Sequence, residues 1–495
     1  MILLFAFIGI LLALLAICVF RAVRQTNIQS PESEVSVSRL RDILQKGQSA
    51  TTVGLPENFD RRTAQYAAGL RSLLQAETVS SVQSEISEKF DRFHQVMAET
   101  FPLLHKNCEK YDFDGSLLFH WKGKSAQNPI LLMNHLDVVE AVGAWKHAPF
   151  AGEIADGRIY GRGALDDKGP LYVMYQAVEE LLAEGFVPPC DVYLASSCTE
   201  EIGGTGAGKT AKWLQEKGIR LRFLLDEGGM LVDRPMTGVD GIYAMIGVLE
   251  KGIGNVKFIA KSSGGHASAP PNNTPLVRLG RLMSALEDNY PFRMELPRPL
   301  LEMLRRLTPN VPFAFRLVTA NLWLFQPLLK VLVTKVPMLA AMSRTTVAFT
   351  TAKGSDGYNV LPQEAFVTAN IRYSHHQAVE ETHRILHDFA KKYDIETEIL
   401  NAEEPAPVVD YGSAEFRLVE ETIQTVYPGV QVSPYVMTGG TDARFYKDLT
   451  ASALRFAPLY ITADQLARVH GVDESLFIYT LAFGVDFYKK LLERL

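Results

Sequence analysis

Three clusters of acidic and imidazole side chains, each standing where an apolar run stops, carry the chemistry readable in this chain. They are His135-Leu136-Asp137 after ILLMN, Asp166-Asp167 within GRGALDDKG, and Glu200-Glu201 after VYLASSCT. Carboxylates and imidazoles are ligands for zinc and related divalent ions, and ligands gathered from the ends of several strands build a scaffold-held site open to substrate. So much charge beside buried strands calls for a cation to pair it. In an extended segment, residues two apart project to the same side, so Asp137 can hold the His135 imidazole in one tautomer while His135 binds metal. Asp166 follows Gly161-Arg162-Gly163, where the backbone can bend a carboxylate into a crowded centre, and its two oxygens can bridge two cations. Glu200 and Glu201 are neighbours and so take different jobs if both serve the site: one coordinates and the other moves protons.

Two further patterns invite chemistry and are read differently. Residues 203–210 (GGTGAGKT) satisfy the G-x-x-x-x-G-K-[ST] phosphate-loop pattern, and FLLDE (223–227) imitates the acidic strand that holds magnesium in such proteins. Alone, they would describe an ATPase. The glutamates directly before the glycines would repel phosphate, however, and the acidic strand follows Lys209 by too few residues for the usual crossover. The glycines are better read as the exit of the chain from the site into a helix, with a nucleotide-binding protein as the rival reading. His383 and His387 have helical i, i+4 spacing, but Arg384 stands where a metalloprotease helix needs glutamate. An exposed helix face is expected there, and a surface position for His375 and His376.

The elements that must position the clusters alternate in type. ILLM (130–133), an amphipathic run from Leu171 to Glu184, VYLASS (192–197), a helical stretch from Ala207 to Lys217 and RFLLD (222–226) predict an α/β sheet with helices on its faces and a site along its strand ends. From about Ala244 the texture changes to one long strand, a helix (Thr274 to Asn289), a strand (EAFVTANIRYS), a helix (Gln377 to Tyr393) and a strand (IETEIL), which together predict a small inserted α+β sandwich. Between its halves lies an apolar segment, Pro291 to Met342. Within it, Lys330, Lys335 and two prolines interrupt the run NLWLFQPLLKVLVTKVPMLAAM (321–342), which argues for a buried helical insertion or a hydrophobic surface near a bilayer rather than a second span.

At 495 residues the chain exceeds one ordinary core, so two domains plus an appendage are expected. Its 50 basic and 56 acidic residues are well mixed, with net charge −6, and this sets nucleic-acid partners aside. Ile2 to Phe20 is apolar and uncharged, close to bilayer-spanning length, and is followed by Arg21 and Arg24. A retained single-pass anchor is expected, with a cleaved signal peptide as the alternative and the side of the soluble part left open. Cys18, Cys108, Cys190 and Cys198 form no C-x-x-C pair and are expected as free thiols, mostly buried. The resulting plan is an anchor (1–24), a polar linker (25–54), a catalytic domain in two parts (55–245 and 404–495) and an insert (246–403) carrying the apolar segment.

In this order the clusters and their neighbours resemble the M20 metallopeptidases, especially the carboxypeptidase S and N-acyl-amino-acid hydrolase branch. The resemblance runs from about Asp60 to the C-terminus. It rests on NHLDVV (134–139), YGRGALDDKG (160–169), EEIGGTGA (200–207), LDEGG (225–229), GGHAS (264–268), NVLP (359–362), GGTDAR (439–444) and VHGVDE (469–474). It implies a zinc-peptidase-like α/β catalytic domain with a ferredoxin-like lid. It also implies two zinc ions, replaceable by cobalt or manganese: His135, Asp166 and Asp226 (or its alternative Glu227) around one, with Asp166, Glu201 and His470 around the other. Glu200 would be the general base, Asp137 the orienting acid and His266 the oxyanion stabiliser brought by the lid. Arg444, Asn359 and Gly440 would receive the substrate. The implied reaction is hydrolysis of an amide bond in a peptide or N-acyl amino acid with a free carboxylate, with a dipeptidase or deacetylase as the alternative, and a homodimer formed through the lid.

Overall fold

The apolar runs that precede the clusters form the middle of a sheet. In the computed structural model, which describes residues 2–25, 31–46, 59–81 and 87–495 (leaving aside the side chains of 2–9, 31–36 and 87), Ile130–His135 lies parallel to Val192–Ser197 on one side and Phe223–Asp226 on the other. His135 stands opposite Ser197 and Leu132 opposite Leu225. All residues of these strands are buried, as the continuous apolar runs require of strands covered on both faces. Their carboxyl ends therefore meet at one edge, where the connections carrying the clusters leave the sheet. Outward from this centre, the 10-stranded sheet continues through Ser116–Trp121 and Glu109–Phe113 at one end, and through Ala453–Arg455, Ile242–Glu250 and shorter strands at the other.

Helices cover both faces. Phe59–Gln75, Lys168–Ala183, Ala414–Val426 and Thr480–Glu493 pack with the sheet in the largest core, while Gly206–Glu216 covers the other face against Leu118, Leu131 and Leu224. Pro31–Lys46, expected as part of a polar linker, is also a helix and buries Val37, Leu40, Ile43 and Leu44 in the main core. The remainder of that linker lies outside the described residues, apart from Gln25.

The long strand expected from Ala244 onward is two strands. Ile242–Glu250 belongs to the catalytic sheet and Gly252–Lys261 to a second, antiparallel sheet, so the chain changes sheets at Lys251. The second sheet has the order Thr346–Lys353, Glu364–Tyr373, Gly252–Lys261, Glu396–Ala402. Its edge strand Thr346–Lys353 was not foreseen. Burial alternates along Gly252–Lys261 and Glu364–Tyr373, so one face of the sheet is covered, by helices Pro275–Asp288 and Val379–Lys391, and the other stays open.

The apolar segment between the halves folds as short helices: Arg298–Leu307, Phe313–Thr319, Leu322–Val333 and Pro337–Ser343. The last two meet at 114°. Ile2–Arg24 is a helix whose Cys18 and Ala22 are buried, and Asn321 Nδ2 donates to the Cys18 carbonyl at 3.0 Å. Among the described residues no single helix is long and apolar enough to cross a membrane. All four cysteines are free and buried.

Candidate metal centre and active site

His135 closes its strand, and its Nδ1 donates to the backbone carbonyl of Asp137 at 2.9 Å. Because a carbonyl can only accept, Nδ1 carries the proton and Nε2 is the nitrogen offered to a cation. Nε2 faces Asp166 Oδ1 at 2.9 Å, while the other oxygen, Oδ2, faces His470 Nε2 at 3.0 Å. One carboxylate thus addresses two imidazoles with separate oxygens. Glu201 Oε2 stands 3.1 Å from His470 Nε2, and ligand atoms of His135, Asp166 and Glu201 lie within 4.8 Å of one another. Separations near 3 Å approach the roughly 3.4 Å edge of a tetrahedron with metal bonds of about 2.1 Å.

The electrostatics fit a cation. Burial opposes charge on His135, yet bonds to Asp137 and Asp166 raise its pKa well above the ordinary value. Bonds to Asp166 and Glu201 lift His470 to about 10. Burial raises Glu200 and Glu201, helped by Asp442 and Asp166 for the former and by Asp166 for the latter. Glu201 Oε1 is buried without a hydrogen-bond partner. Crowded carboxylates that resist ionisation, with an orphaned oxygen among them, are a donor set that a divalent ion would satisfy.

The Asp137 carboxylate has a task beside the expected one. It stands 3.5 Å from His135 Nδ1, with the backbone carbonyl in the closer position. Its oxygens also accept the amides of Glu200 and Glu201, each at 3.1 Å, and the Ser80 hydroxyl at 2.7 Å. Both glutamates are thereby held by their backbone.

Glu474, at the end of the run read for its histidine, was missed from sequence. Its carboxylate accepts Leu165 N at 2.7 Å, Asp166 N at 3.1 Å and Gly163 N at 3.2 Å, and pairs with Arg162 at 2.6 Å. It fixes the loop that aims Asp166. Asp167, joined to Asp166 by a cis peptide bond, is fully buried and accepts Asn134 Nδ2 and His135 N. This excludes the solvated turn that its polarity alone would allow.

Between Asp226 and Glu227 both carboxylates remain candidate ligands. Asp226 Oδ1 accepts Glu227 N at 2.9 Å and its Oδ2 accepts Ala443 N at 2.8 Å, which fixes the carboxylate and leaves further lone pairs on each oxygen. Glu227 projects the opposite way and lines a cavity together with Asp166. Burial and the charges of Asp167 and Asp166 raise its pKa well above the usual carboxylate range.

The remaining expected residues divide into two places. Thr441 N and Oγ1 donate to buried Glu250, itself paired with Arg455 at 2.8 Å, and this fixes the loop bearing Gly440 and Arg444. Arg444 Nη1 donates to Thr441 O, and its Nε lies 3.2 Å from Glu403. A side chain at Gly440 would meet both Arg444 and Arg372, the latter from the second sheet and unnoticed in the sequence. His266 and Asn359 are exposed on a separate small ribbon, where Gly265–His266 pairs with Val360–Leu361 and Ala267 N donates to Asn359 O. Neither makes a hydrogen bond or ion pair with the His135 cluster. Ser268 N donates to His266 Nδ1 at 3.1 Å, which leaves Nε2 as the proton-bearing nitrogen.

The two decoys resolve structurally. In the phosphate-loop pattern, Gly203 N and Gly204 N donate to the Glu200 and Thr199 carbonyls and Gly206 N to Thr199 Oγ1, so these amides do not form an anion cradle. Lys209 is paired with Asp114 at 2.7 Å. His383, expected on an exposed face, is half-buried against the Tyr373 hydroxyl at 2.6 Å, whereas His387 is exposed.

Residues 131–494 match the model of peptidase family M20/M25/M40. The chain is 34% identical over 458 residues to the probable carboxypeptidase S-like 2 of Dictyostelium discoideum, covering 88% of this chain and 87% of that one. It is 32% identical over 461 residues to the human N-fatty-acyl-amino acid synthase/hydrolase PM20D1, with 89% of each covered. Among solved structures, the M20 family metallo-carboxypeptidase Sso-CP2 of Sulfolobus solfataricus shares the fold with TM-score 0.67 at 19% identity, covering 87% of this chain and 98% of that one. The chain therefore belongs to peptidase family M20/M25/M40 and is a hydrolytic enzyme, similar to relatives of the carboxypeptidase S and N-acyl-amino-acid hydrolase branch.

Proposed function

We propose that the protein is a dinuclear zinc hydrolase that cleaves the amide bond of peptides or N-acyl amino acids bearing a free carboxylate. The observation carrying this reading is the division of Asp166, one oxygen toward His135 and the other toward His470. Glu201 completes the His470 side and Asp226, or its neighbour Glu227, the His135 side. Nitrogen and oxygen donors suit zinc, with cobalt or manganese as substitutes. Bound, the ions would polarise the amide carbonyl and lower the pKa of a water. Glu200, fixed by its amide on Asp137, takes the proton of the attacking water and returns it to the leaving amine. Arg444 and Arg372, beside Gly440, receive the substrate carboxylate. His266 supplies an Nε2 proton to the oxyanion once the second sheet closes on the site, with Asn359 beside it. We further assign the N-terminal helix as a single-pass anchor, with either side of the membrane open to the soluble part, and the edge strand Thr346–Lys353 as the seam of a homodimer.

The test is a panel of N-acyl amino acids and C-terminal peptides given to the full chain before and after chelation. Turnover is expected only with metal, and Glu200→Gln is expected to lower kcat by about 10²–10⁴-fold while metal content stays unchanged. Retained turnover in Glu200→Gln would overturn the assigned base.

A further inference from the structure

The second sheet carries a concavity of its own, and none of its lining residues belongs to the metal centre. Its volume of about 470 Å3 is within the range of small-ligand pockets. Five basic side chains, Lys261, Arg278, Arg281, Lys391 and Lys392, line it with a single acidic one, Asp394. Lys261 is paired with Glu396 at 2.7 Å and Arg278 with Asp394. Arg281, Lys391 and Lys392 have no acidic partner among the described residues, and the Arg281 guanidinium donates only to Asn273 Oδ1. Three uncompensated cations thus share one concavity in a chain of net charge −6. Such a concentration of one sign in a concave wall draws an anion.

Backbone amides and a buried guanidinium add to the same field. Helix Pro275–Asp288 begins at the cavity, and its N-cap Thr274 makes no side-chain hydrogen bond, so the first amides of the helix lack a capping oxygen. Arg278 is 8% exposed; Asp394 and the Lys261 carbonyl take its Nη1 and Nη2, while its Nε is buried without a hydrogen-bond partner. The fold therefore leaves donors unsatisfied beside the cavity. Lys391 and Lys392 close helix Val379–Lys391, whose carboxyl end carries about half a negative charge, too little to offset two lysines. The cavity also holds both ends of the segment that bears His266. Lys261 to Gly264 lead into that segment and Pro271 to Thr274 return from it, and both stretches are walls of the cavity. Ser262 Oγ donates to Pro362 O at 2.8 Å and accepts Gly264 N at 3.0 Å, which ties the first wall to Val360–Leu361, the strand paired with Gly265–His266.

We propose that this cavity binds a diphosphate group and that its occupancy fixes the loop bearing His266. Two phosphate groups carry about three to four negative charges near neutral pH, which matches three free cations and an uncapped helix start. The anion accepts hydrogen bonds from Arg281, Lys391, Lys392 and the amides that open helix Pro275–Asp288, and so joins the returning arm of the loop to the end of helix Val379–Lys391. The same group occurs free or as the end of a nucleoside diphosphate. Binding stands on the charges of the cavity alone; only its consequence for hydrolysis rests on the role proposed for His266.

The full zinc-loaded chain is titrated calorimetrically with inorganic pyrophosphate, ADP and adenosine, and amide hydrogen exchange over 262–274 is followed with and without pyrophosphate. Saturable binding of pyrophosphate and ADP but not adenosine is expected, weakening as salt rises, with slower exchange over 262–274. A variant combining Arg281→Ala, Lys391→Ala and Lys392→Ala, all at exposed positions, should keep its circular dichroism and zinc content. It should lose about tenfold or more of the pyrophosphate affinity, together with the exchange protection. Equal affinity for pyrophosphate and ADP identifies the free anion as the ligand and tighter ADP a nucleotide; either supports the site. Pyrophosphate affinity unchanged in the triple variant would put the anion at the metal ions and overturn the site, as would the lack of saturable binding of both diphosphates. Binding without slower exchange would overturn the hold on the His266 loop. A zinc-loaded chain that binds pyrophosphate in this way, yet hydrolyses no N-acyl amino acid or peptide in its absence, would leave the site standing and refute the hydrolase reading instead.

Discussion

Asp137 has a carboxylate that contacts no substrate in this account and yet governs two glutamates. By accepting the Glu200 and Glu201 amides it sets the spacing between the proton carrier and a metal ligand. Asp137→Asn keeps the size of the side chain but replaces one accepting oxygen with a donor that would face a backbone N–H. The expected result is a roughly 10- to 100-fold loss of metal affinity or activity with the fold retained, read by zinc competition and circular dichroism. Unchanged affinity and activity would reduce Asp137 to packing. The cluster residues were legible in sequence because His135 closes a buried strand, the Glu200-Glu201 pair follows another and Asp166 sits in a glycine-bearing turn, where polarity changes abruptly. The roles of Asp137 and Glu474 were not, because both act on backbone amides brought from distant segments. The choice between Asp226 and Glu227 was equally hidden, since a strand sends neighbours to opposite faces without declaring which face opens on the site.

At the scale of elements, the alternating apolar runs made the three central strands and their covering helices readable before their order was known. The crossing at Lys251 was not readable, because Glu250 and Gly252 continue the strand pattern on both sides. Lys251 is 4% exposed, and its Nζ donates to Ala341 O, Arg344 O and Thr346 Oγ1, tying the junction of the sheets to the end of the insertion. Burial, with the nearby Arg372 and Arg344 charges, lowers its pKa to about 7. An unfolded lysine keeps its proton up to its ordinary pKa of 10.5, so between about 7 and 10.5 the unfolded chain binds more protons than the native one. Stability contributed at this position therefore rises with pH across that window. Urea midpoints at about pH 7 and pH 9.5 should show the wild type gaining on Lys251→Met as pH increases, in line with the proton-linkage relation. Parallel behaviour of the two proteins would remove Lys251 from the linkage. The edge strand Thr346–Lys353 escaped prediction because its mostly exposed residues lack the alternation that marks a half-buried strand.

Across the whole molecule, the parts named from sequence occupy two bodies. The acidic clusters and His470 meet at the catalytic sheet, whereas His266 and Asn359 stand apart on the ribbon next to the second sheet. Sequence order could pair the motifs but could not report that separation, which depends on how the sheets are set about Lys251. The central claim is that Asp166 organises two metal ions for amide hydrolysis. Its most direct test is to strip the full chain with chelator and titrate zinc back while following N-acyl amino acid hydrolysis and bound metal together. Activity should rise to a plateau at about two zinc ions per chain, with Asp166→Asn showing neither the stoichiometry nor the activity. Full activity in the metal-free chain, or a plateau at about one ion that Asp166→Asn leaves unchanged, would contradict the account.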